Sequence, residues 1–320
     1  MIKCPFCNGD MLINGEKFTC YHCFKSGDIV DFLVERDGIS HKKAEMKATK
    51  NKPDAKTLNE IYRCNEIAAK YYSEKLFAEN YFIKRGLTPE TISNFKLGYA
   101  PFEGDELLST LKSEGISEPA IIVSGLFYLD NVLKPFFRNR AMFPIINENG
   151  KIAGFGGRRI SENSNSPKYL NTGENLIFHK RDLLYGLNNA IDNDTVYLVE
   201  GYMDVISLNQ SGVSNAVAAL GTAIGENHCT LLRDCGIKNI VLCMDSDEAG
   251  IKSAKKSISI LRNYFNVSVI VIEGAKDPDE FVKTKGSEAF YNLKRIAAET
   301  FVIQNSEKTE QLNNAIKFLL

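Results

Sequence analysis

Between Thr195 and Ile272 short apolar runs alternate with amphipathic stretches. VYLVE, NAVAAL, NIVLCMD and VSVIVIE are β-favouring runs; the first three lead into helical periodicity, through Leu208, near His228 and across AGIKSAKKSISILRNYF. That alternation predicts a parallel sheet flanked by helices. Upstream the pattern is mixed. Ile61, Ile67, Ala68, Tyr71, Tyr72 and Leu76 recur at helical spacing between Leu58 and Phe77. Thr88 before Pro89 marks a helix start. AMFPIIN and IAGFGGR flank the turn NENG as a hairpin, and ISENSNSPKYLN reads as a loop. The closing stretches, GSEAFYNLKRIAAETFVIQ and EQLNNAIKFLL, have a helical period.

These elements divide the chain. Residues 1–40 form a small cysteine-bearing unit ending in the amphipathic helix GDIVDFLVER, whose apolar face is Ile29, Val30, Phe32 and Leu33. Residues 41–57, charged and broken by Pro53, read as a linker. A mixed α+β subdomain over 58–190, an α/β subdomain over 191–286 and a short helical segment over 287–320 follow. With 44% apolar and 25% charged residues the composition is that of an ordinary globular protein. No apolar run approaches the roughly 18 residues of a membrane span, and MIKCPFCNGD lacks a secretory stretch. A cytoplasmic protein without a membrane partner is expected.

Charge changes this picture more than composition does. A net charge of −1 looks wrong for a nucleic-acid partner, but the distribution matters more than the sum. Asp130–Tyr185 carries nine Lys+Arg against five acids, whereas acids outnumber bases from Ala190 to Gly286. A basic segment beside an acidic one fits a polymerase site, and a solvated surface fits it equally.

Cys4 and Cys7, then Cys20 and Cys23, form two CxxC pairs twelve residues apart. Two such knuckles make a tetrahedral thiolate site for one structural zinc. NGDMLINGEKFT between them reads as a hairpin, giving a zinc ribbon. Four unligated core cysteines are the alternative, yet so small a unit would scarcely fold without metal. Cys64, Cys229, Cys235 and Cys243 lack partners at ligand spacing and read as buried thiols.

Acids stand where the apolar runs end: Glu200 after VYLV, Asp245 and Asp247 after IVLCM, and Asp277 and Asp279 in AKDPDEF. Ligands of an open parallel sheet bind just beyond the strands' carboxyl ends. In extended chain Asp245 and Asp247 point the same way, and such hard oxygen ligands suit Mg²⁺ or Mn²⁺ shared with substrate phosphates. Asp247 equally fits a helix N-cap, and Asp277 and Asp279 fit a solvated turn around Pro278. Glu200 is harder to dismiss, because an unpaired carboxylate at a sheet end costs on the order of several kcal/mol.

EGYMDV, ALGTA, MDSDEAG and DPDEFV resemble, in that order, the Toprim module of bacterial DnaG-type primases. YFIKRGLTPETISNFKLGYAP, RAMFPIINENGKIAGFGGRRI and PKYLNTGENLIFHKRDLLYGL resemble the basic N-terminal subdomain of that catalytic core. The ribbon followed by SGDIVDFL resembles the family's CHC2 zinc finger, with Cys7 where the usual finger has His. The resemblance covers about residues 1–300. It implies a Toprim parallel sheet with helices, a mixed α+β subdomain and a zinc ribbon. It makes Glu200 the metal ligand or base closest to the chemistry, with Asp245 and Asp247 holding metal, Asp277 and Asp279 assisting and Asp204 in support. Lys168, Lys180, Arg158, Tyr169 and Asn171 match positions facing nucleotide or template. Lys84, Arg85, Arg138 and Arg140 match basic positions for nucleic acid, though for Lys84 and Arg140 a solvated surface charge is the even alternative.

The function so implied is synthesis of short RNA primers on single-stranded DNA from ribonucleoside triphosphates during replication. A topoisomerase or nuclease would share the acids, and a non-catalytic zinc-bearing DNA-binding protein is the other rival. The chain stops soon after the Toprim stretch, so an abbreviated helical bundle and no helicase-binding domain are expected. That puts recruitment by a replicative helicase in doubt and fits a short phage or mobile-element form.

Overall fold

The computed structural model describes residues 2–4, 6–7, 10–14, 17–20, 22–23, 25–44, 55–161, 166–221 and 223–305. In the first unit, β1 (Ile2–Lys3), β2 (Asp10–Asn14), β3 (Lys17–Cys20) and β4 (Ser26–Asp28) form an antiparallel meander. Asn14 pairs with Lys17, giving the hairpin that the NG signal predicts. Helix α1 (Ile29–Asp37) starts where Asp28 accepts the Val30 and Asp31 N–H groups, and stops at Gly38 in the left-handed region. Its Phe32 packs on Phe6 and Phe18, with ring centroids 5.7 and 5.2 Å away.

The mixed subdomain opens with α2 (Ala55–Ser73), α3 (Leu76–Lys84) and α4 (Pro89–Asn94), the last capped by the Thr88 hydroxyl as expected. β5 (Gly98–Ala100), α5 (Asp105–Ser113), α6 (Glu118–Val123) and the hairpin β6 (Phe127–Asp130)–β7 (Val132–Pro135) follow. β8 (Arg140–Ile146) and β9 (Ile152–Arg159) pair antiparallel across the NENG turn. β10 (Tyr169–Asn171) adds to β9, completing a sheet ordered β10-β9-β8-β5. PKYLN, which reads as a loop, thus ends in an edge strand; three residues are too few for a period-2 pattern to show.

The second sheet runs β11-β13-β12-β14-β15-β16. Its centre is parallel: β12 (Thr195–Val199) lies between β13 (Ala216–Ala219) and β14 (Asn239–Leu242), and β15 (Asn266–Ile270) follows β14. β11 (Leu184–Tyr185) and β16 (Arg295–Ala297) close the edges antiparallel. Four-residue α7 (Leu187–Ala190) enters this sheet, and α8 (Tyr202–Gln210), α9 (Glu226–Asp234), α10 (Glu248–Leu261), α11 (Pro278–Tyr291) and α12 (Ala298–Gln304) accompany it. NLKRIAAETF has a helical period but departs from it over β16. There the open backbone edge of β15 recruits a ladder, and tertiary hydrogen bonding overrides local periodicity.

Alternation along β12 sorts the core into two layers. Tyr197 and Val199 join α8, α11 and the mixed subdomain's Phe82, Phe143 and Phe178. Val196 and Leu198 join Leu232 of α9 and Ala254 and Ile258 of α10. One face of the parallel sheet is therefore fused to the mixed subdomain, and the other carries its own helices.

Candidate functional site

Glu200 follows the last residue of β12 and is exposed. Its Oε1 accepts the Asp245 N–H at 3.1 Å, which ties the end of β12 to the loop after β14. That loop is tied in turn to the 275–279 segment, because the Ser246 N–H and hydroxyl both donate to the Lys276 carbonyl at 3.2 Å. Three separated acidic stretches are thus held at one end of the sheet. Gly250 permits the approach: a Cβ there would lie 2.1 Å from the Asp245 carbonyl oxygen, so only glycine lets α10 close on the loop.

The acids differ in surroundings. Asp245 is half-buried, and its carboxyl is pushed up to about 6 by burial and by Glu200, Asp277 and Asp247, against the opposing pull of Lys276. Asp247 and Asp277 cap α10 and α11, accepting the Gly250 and Glu280 N–H groups at 2.8 Å each. Asp204 is buried behind the site, in the first turn of α8, and accepts the Gly201 and Asp279 N–H groups at 3.0 and 3.2 Å. Burial foremost, then Asp277 and Asp245, pushes it up to about 7. Asp279, which reads in sequence as part of a solvated turn or a metal site, is buried. It is held by Lys283 at 2.6 Å, by Arg85 at 3.7 Å and by the Ser207 hydroxyl.

The mixed subdomain reaches this end through β10. The strand β10 rests on Tyr202, two residues past Glu200. The Tyr202 hydroxyl donates to Asn171 Oδ1 at 2.7 Å, and Asn171 Nδ2 donates to the Leu220 carbonyl at 3.0 Å, beyond β13. The Tyr169 ring meets Tyr202 edge-on at 6.0 Å. Gly156 makes room, since a Cβ would lie 2.5 Å from the Tyr202 ring. Arg158 donates to the Tyr81 hydroxyl at 2.6 Å and lies over the Tyr169 ring at 5.9 Å. Lys168 is exposed at the start of this strand. Lys180 is half-buried in a 3₁₀ turn, Lys180–Asp182.

The remaining bases separate. Lys84 is exposed, and Arg138 donates to the Pro135 carbonyl at 3.1 Å and lies 5.7 Å from the Phe102 centroid. Arg140 is only 3% exposed. Its guanidinium donates to the Gly157 and Pro167 carbonyls at 2.9 and 3.0 Å, pinning the turn that precedes Lys168.

His228 escapes a sequence reading. Its Nδ1 accepts the Gly225 N–H at 3.2 Å, leaving Nε2–H to donate to the Lys180 carbonyl at 3.1 Å. Burial holds it below the usual histidine range, so it stays neutral and fixes the turn that carries Lys180. A buried histidine three residues after a helix-starting glycine is the only local clue.

In the first unit the Sγ atoms of Cys4, Cys7 and Cys23 lie within 4.8 Å of one another, with Cys4 and Cys23 at 3.8 Å. The side chain of Cys20 lies outside the described residues. Cys64, Cys229 and Cys243 are buried thiols, whereas Cys235 is half-buried. No helix among the described residues is long and apolar enough to cross a membrane.

Residues 67–191 match the family described as DNA primase catalytic core, N-terminal domain, and residues 197–282 match the Toprim-like family, which implies use of a divalent metal. A DNA primase of Clostridium acetobutylicum is 36% identical over 92% of this chain and 53% of its own length. The chain spans about half the length of the curated relatives it matches. The Aquifex aeolicus primase (zinc binding and RNA polymerase domains) superposes with a TM-score of 0.72 at 28% identity, covering 99% of this chain and 83% of that one. A DnaG primase catalytic domain bound to ssDNA gives a TM-score of 0.67 at 30% identity over 78% of this chain and 83% of that chain. With both halves of the site matched in sequence and in shape, the chain belongs to the family of bacterial DnaG-type primases.

Proposed function

We propose that the chain is the catalytic part of a DNA primase, a DNA-directed RNA polymerase. It joins ribonucleoside triphosphates into short RNA primers on single-stranded DNA by divalent-metal-dependent nucleotidyl transfer. The observation that carries this reading is the junction at Glu200. An exposed carboxylate is bonded to the Asp245 backbone, and two residues on, Tyr202 carries strand β10, which Lys168 immediately precedes. That junction supports a reading in which oxygen ligands for metal and side chains for phosphate serve one sheet end.

The donor set fits a hard divalent cation. Burial and neighbouring acids raise Asp245, and a cation would relieve that repulsion. Glu200, Asp245 and Asp247 would hold Mg²⁺ or Mn²⁺, with Asp277 beside them and Asp204 and Asp279 bracing the loops from behind. The bound metal supplies positive charge to the attacking 3′-hydroxyl and to the leaving pyrophosphate. The chain's own contribution is positioning and electrostatics. Lys168 and Lys180 offer ammonium groups to the triphosphate, while Arg158, Tyr169 and Asn171 form a braced wall for the nucleotide. Lys84 and Arg138 supply charge along the template path, Arg85 stays with Asp279, and Arg140 acts by holding the turn before Lys168.

The cysteines fit one structural zinc. With bonds of about 2.3 Å, tetrahedral thiolates stand about 3.8 Å apart, matching the 3.8 Å between Cys4 and Cys23. Cys4, Cys7 and Cys23, with Cys20, would hold it.

A ribonucleotide-incorporation assay on single-stranded templates with Mg²⁺ or Mn²⁺ tests this reading. Template-dependent primers are expected from the wild type and synthesis lower by about 10²–10³-fold from Glu200→Gln of unchanged zinc content and fold. Near-normal synthesis by that variant, or none by the wild type, overturns it.

A further inference from the structure

Glu200 also borders a groove that the assignments above leave unused. By strand alternation it lies on the same side of β12 as Val196 and Leu198, the α9–α10 face. Strand β10 approaches from the opposite, α8 side, where Tyr169 and Asn171 rest on Tyr202, and Arg158 of β9 lies over the Tyr169 ring. On the α10 side, a groove of about 430 Å³ runs from Glu200 between α10 and the end of β13. Leu198, Ala219, Ile224 and Met244 contribute apolar lining, and Lys252 and Lys256 contribute the positive charge. The two lysines are exposed and one turn apart on α10. Like charges at this spacing repel, and among the described residues neither ammonium has an ion pair or hydrogen bond.

The volume suits a small ligand of nucleotide size. Counting helix rise from Asp247, Lys252 lies about 7.5 Å and Lys256 about 13.5 Å along α10. A primer-forming enzyme must seat two nucleotides. One brings the α-phosphate that is attacked; the other presents a 3′-hydroxyl from the opposite side of the reacting phosphorus. A nucleotide in this groove with its sugar at Glu200 would run its 5′-phosphates along α10 past both lysines. Two cations within one turn match the charge density of a 5′-triphosphate better than the single charge per residue of an RNA backbone.

We infer that Lys252 and Lys256 bind the 5′-triphosphate of the initiating nucleotide, the one that supplies the 3′-hydroxyl for the first bond. This rests on the nucleotidyl-transfer reading above. The same phosphate chemistry could come from the backbone of the growing RNA, and the test separates the two sources.

The full chain carrying Lys252→Ala and Lys256→Ala is compared with the wild type in two reactions, unprimed synthesis and extension of an annealed RNA with a 5′-hydroxyl. Loss of two charge-assisted contacts should raise the KM of the initiating nucleoside triphosphate about tenfold or more, with extension falling much less. The double Arg variant should recover most of that loss. In a turnover-independent arm, binding of the non-reacting analogue α,β-methylene-ATP to the chain with template and Mg²⁺ should show two sites, and the double Ala variant should lose one. Equal losses in both reactions would assign the lysines to the RNA backbone and overturn the inference. Unchanged initiation or two retained sites would do the same. If the wild type makes no primer, the enzymatic reading fails by itself, and the site count still decides whether these lysines hold a triphosphate.

Discussion

The two faces of the parallel sheet use the same residue types for opposite purposes. On the α8–α11 face Asp204 and Asp279 are buried, and both have partners: Lys283, Arg85, the Ser207 hydroxyl and backbone N–H groups. On the α9–α10 face Glu200, Lys252 and Lys256 are exposed, and neither lysine is paired among the described residues. Burial that satisfies a charge makes it structural; exposure at a sheet end leaves it free for ligand. Carboxylates a few residues apart in one motif are thereby given different work.

Substitutions on the two faces should separate by readout. The largest effect belongs to Glu200→Gln, which keeps an acceptor for the Asp245 N–H but removes the charge. Primer synthesis should drop by about 10²–10³-fold, with urea unfolding unchanged. Asp279→Ala should do the reverse. It strands Lys283 and Arg85, and the partial exposure of those partners reduces the cost of a broken buried pair to about 2 kcal/mol in urea unfolding. A wild-type midpoint in that variant would show that the network is not structural.

Asp204 gives a pH signature. Its carboxyl is raised from 3.8 to about 7, so the native state binds the proton more tightly than the unfolded chain. The stability it contributes is complete below pH 3.8 and is lost as pH rises through about 7. Asp204→Asn should flatten the dependence of metal-free stability on pH across that window, as read by denaturation at several pH values. The smallest change is Tyr202→Phe, which removes one hydrogen bond to Asn171 and should cost about 1 kcal/mol, together with a modest rise in nucleotide KM as β10 loosens.

The sequence discloses the open face better than the closed one. VYLVE and NIVLCMD announce their strands and their terminal acids because each pattern is local, and Thr88-Pro89 discloses its cap for the same reason. The role of Asp279 is hidden because Arg85 and Ser207 are distant in the chain; only Lys283, four residues on, is near. Arg140 resembles a nucleic-acid contact until its burial against Gly157 and Pro167 is seen. Strands β10 and β16 escape notice because each exists by virtue of a neighbour's open edge, and their own residues carry too short a pattern to announce them.

Strand β11 has a consequence for how such proteins can be recombined. Leu184 and Tyr185 precede the Toprim-like match, yet they close the edge of its sheet against Ala218 and Ala219. A fragment cut at the boundary of that match would expose the flank of β13 and the aromatic layer around Tyr202, inviting aggregation. The heritable module and the folding unit therefore do not coincide: a chimera that exchanges the metal-binding half between relatives has to carry the preceding dipeptide strand with it.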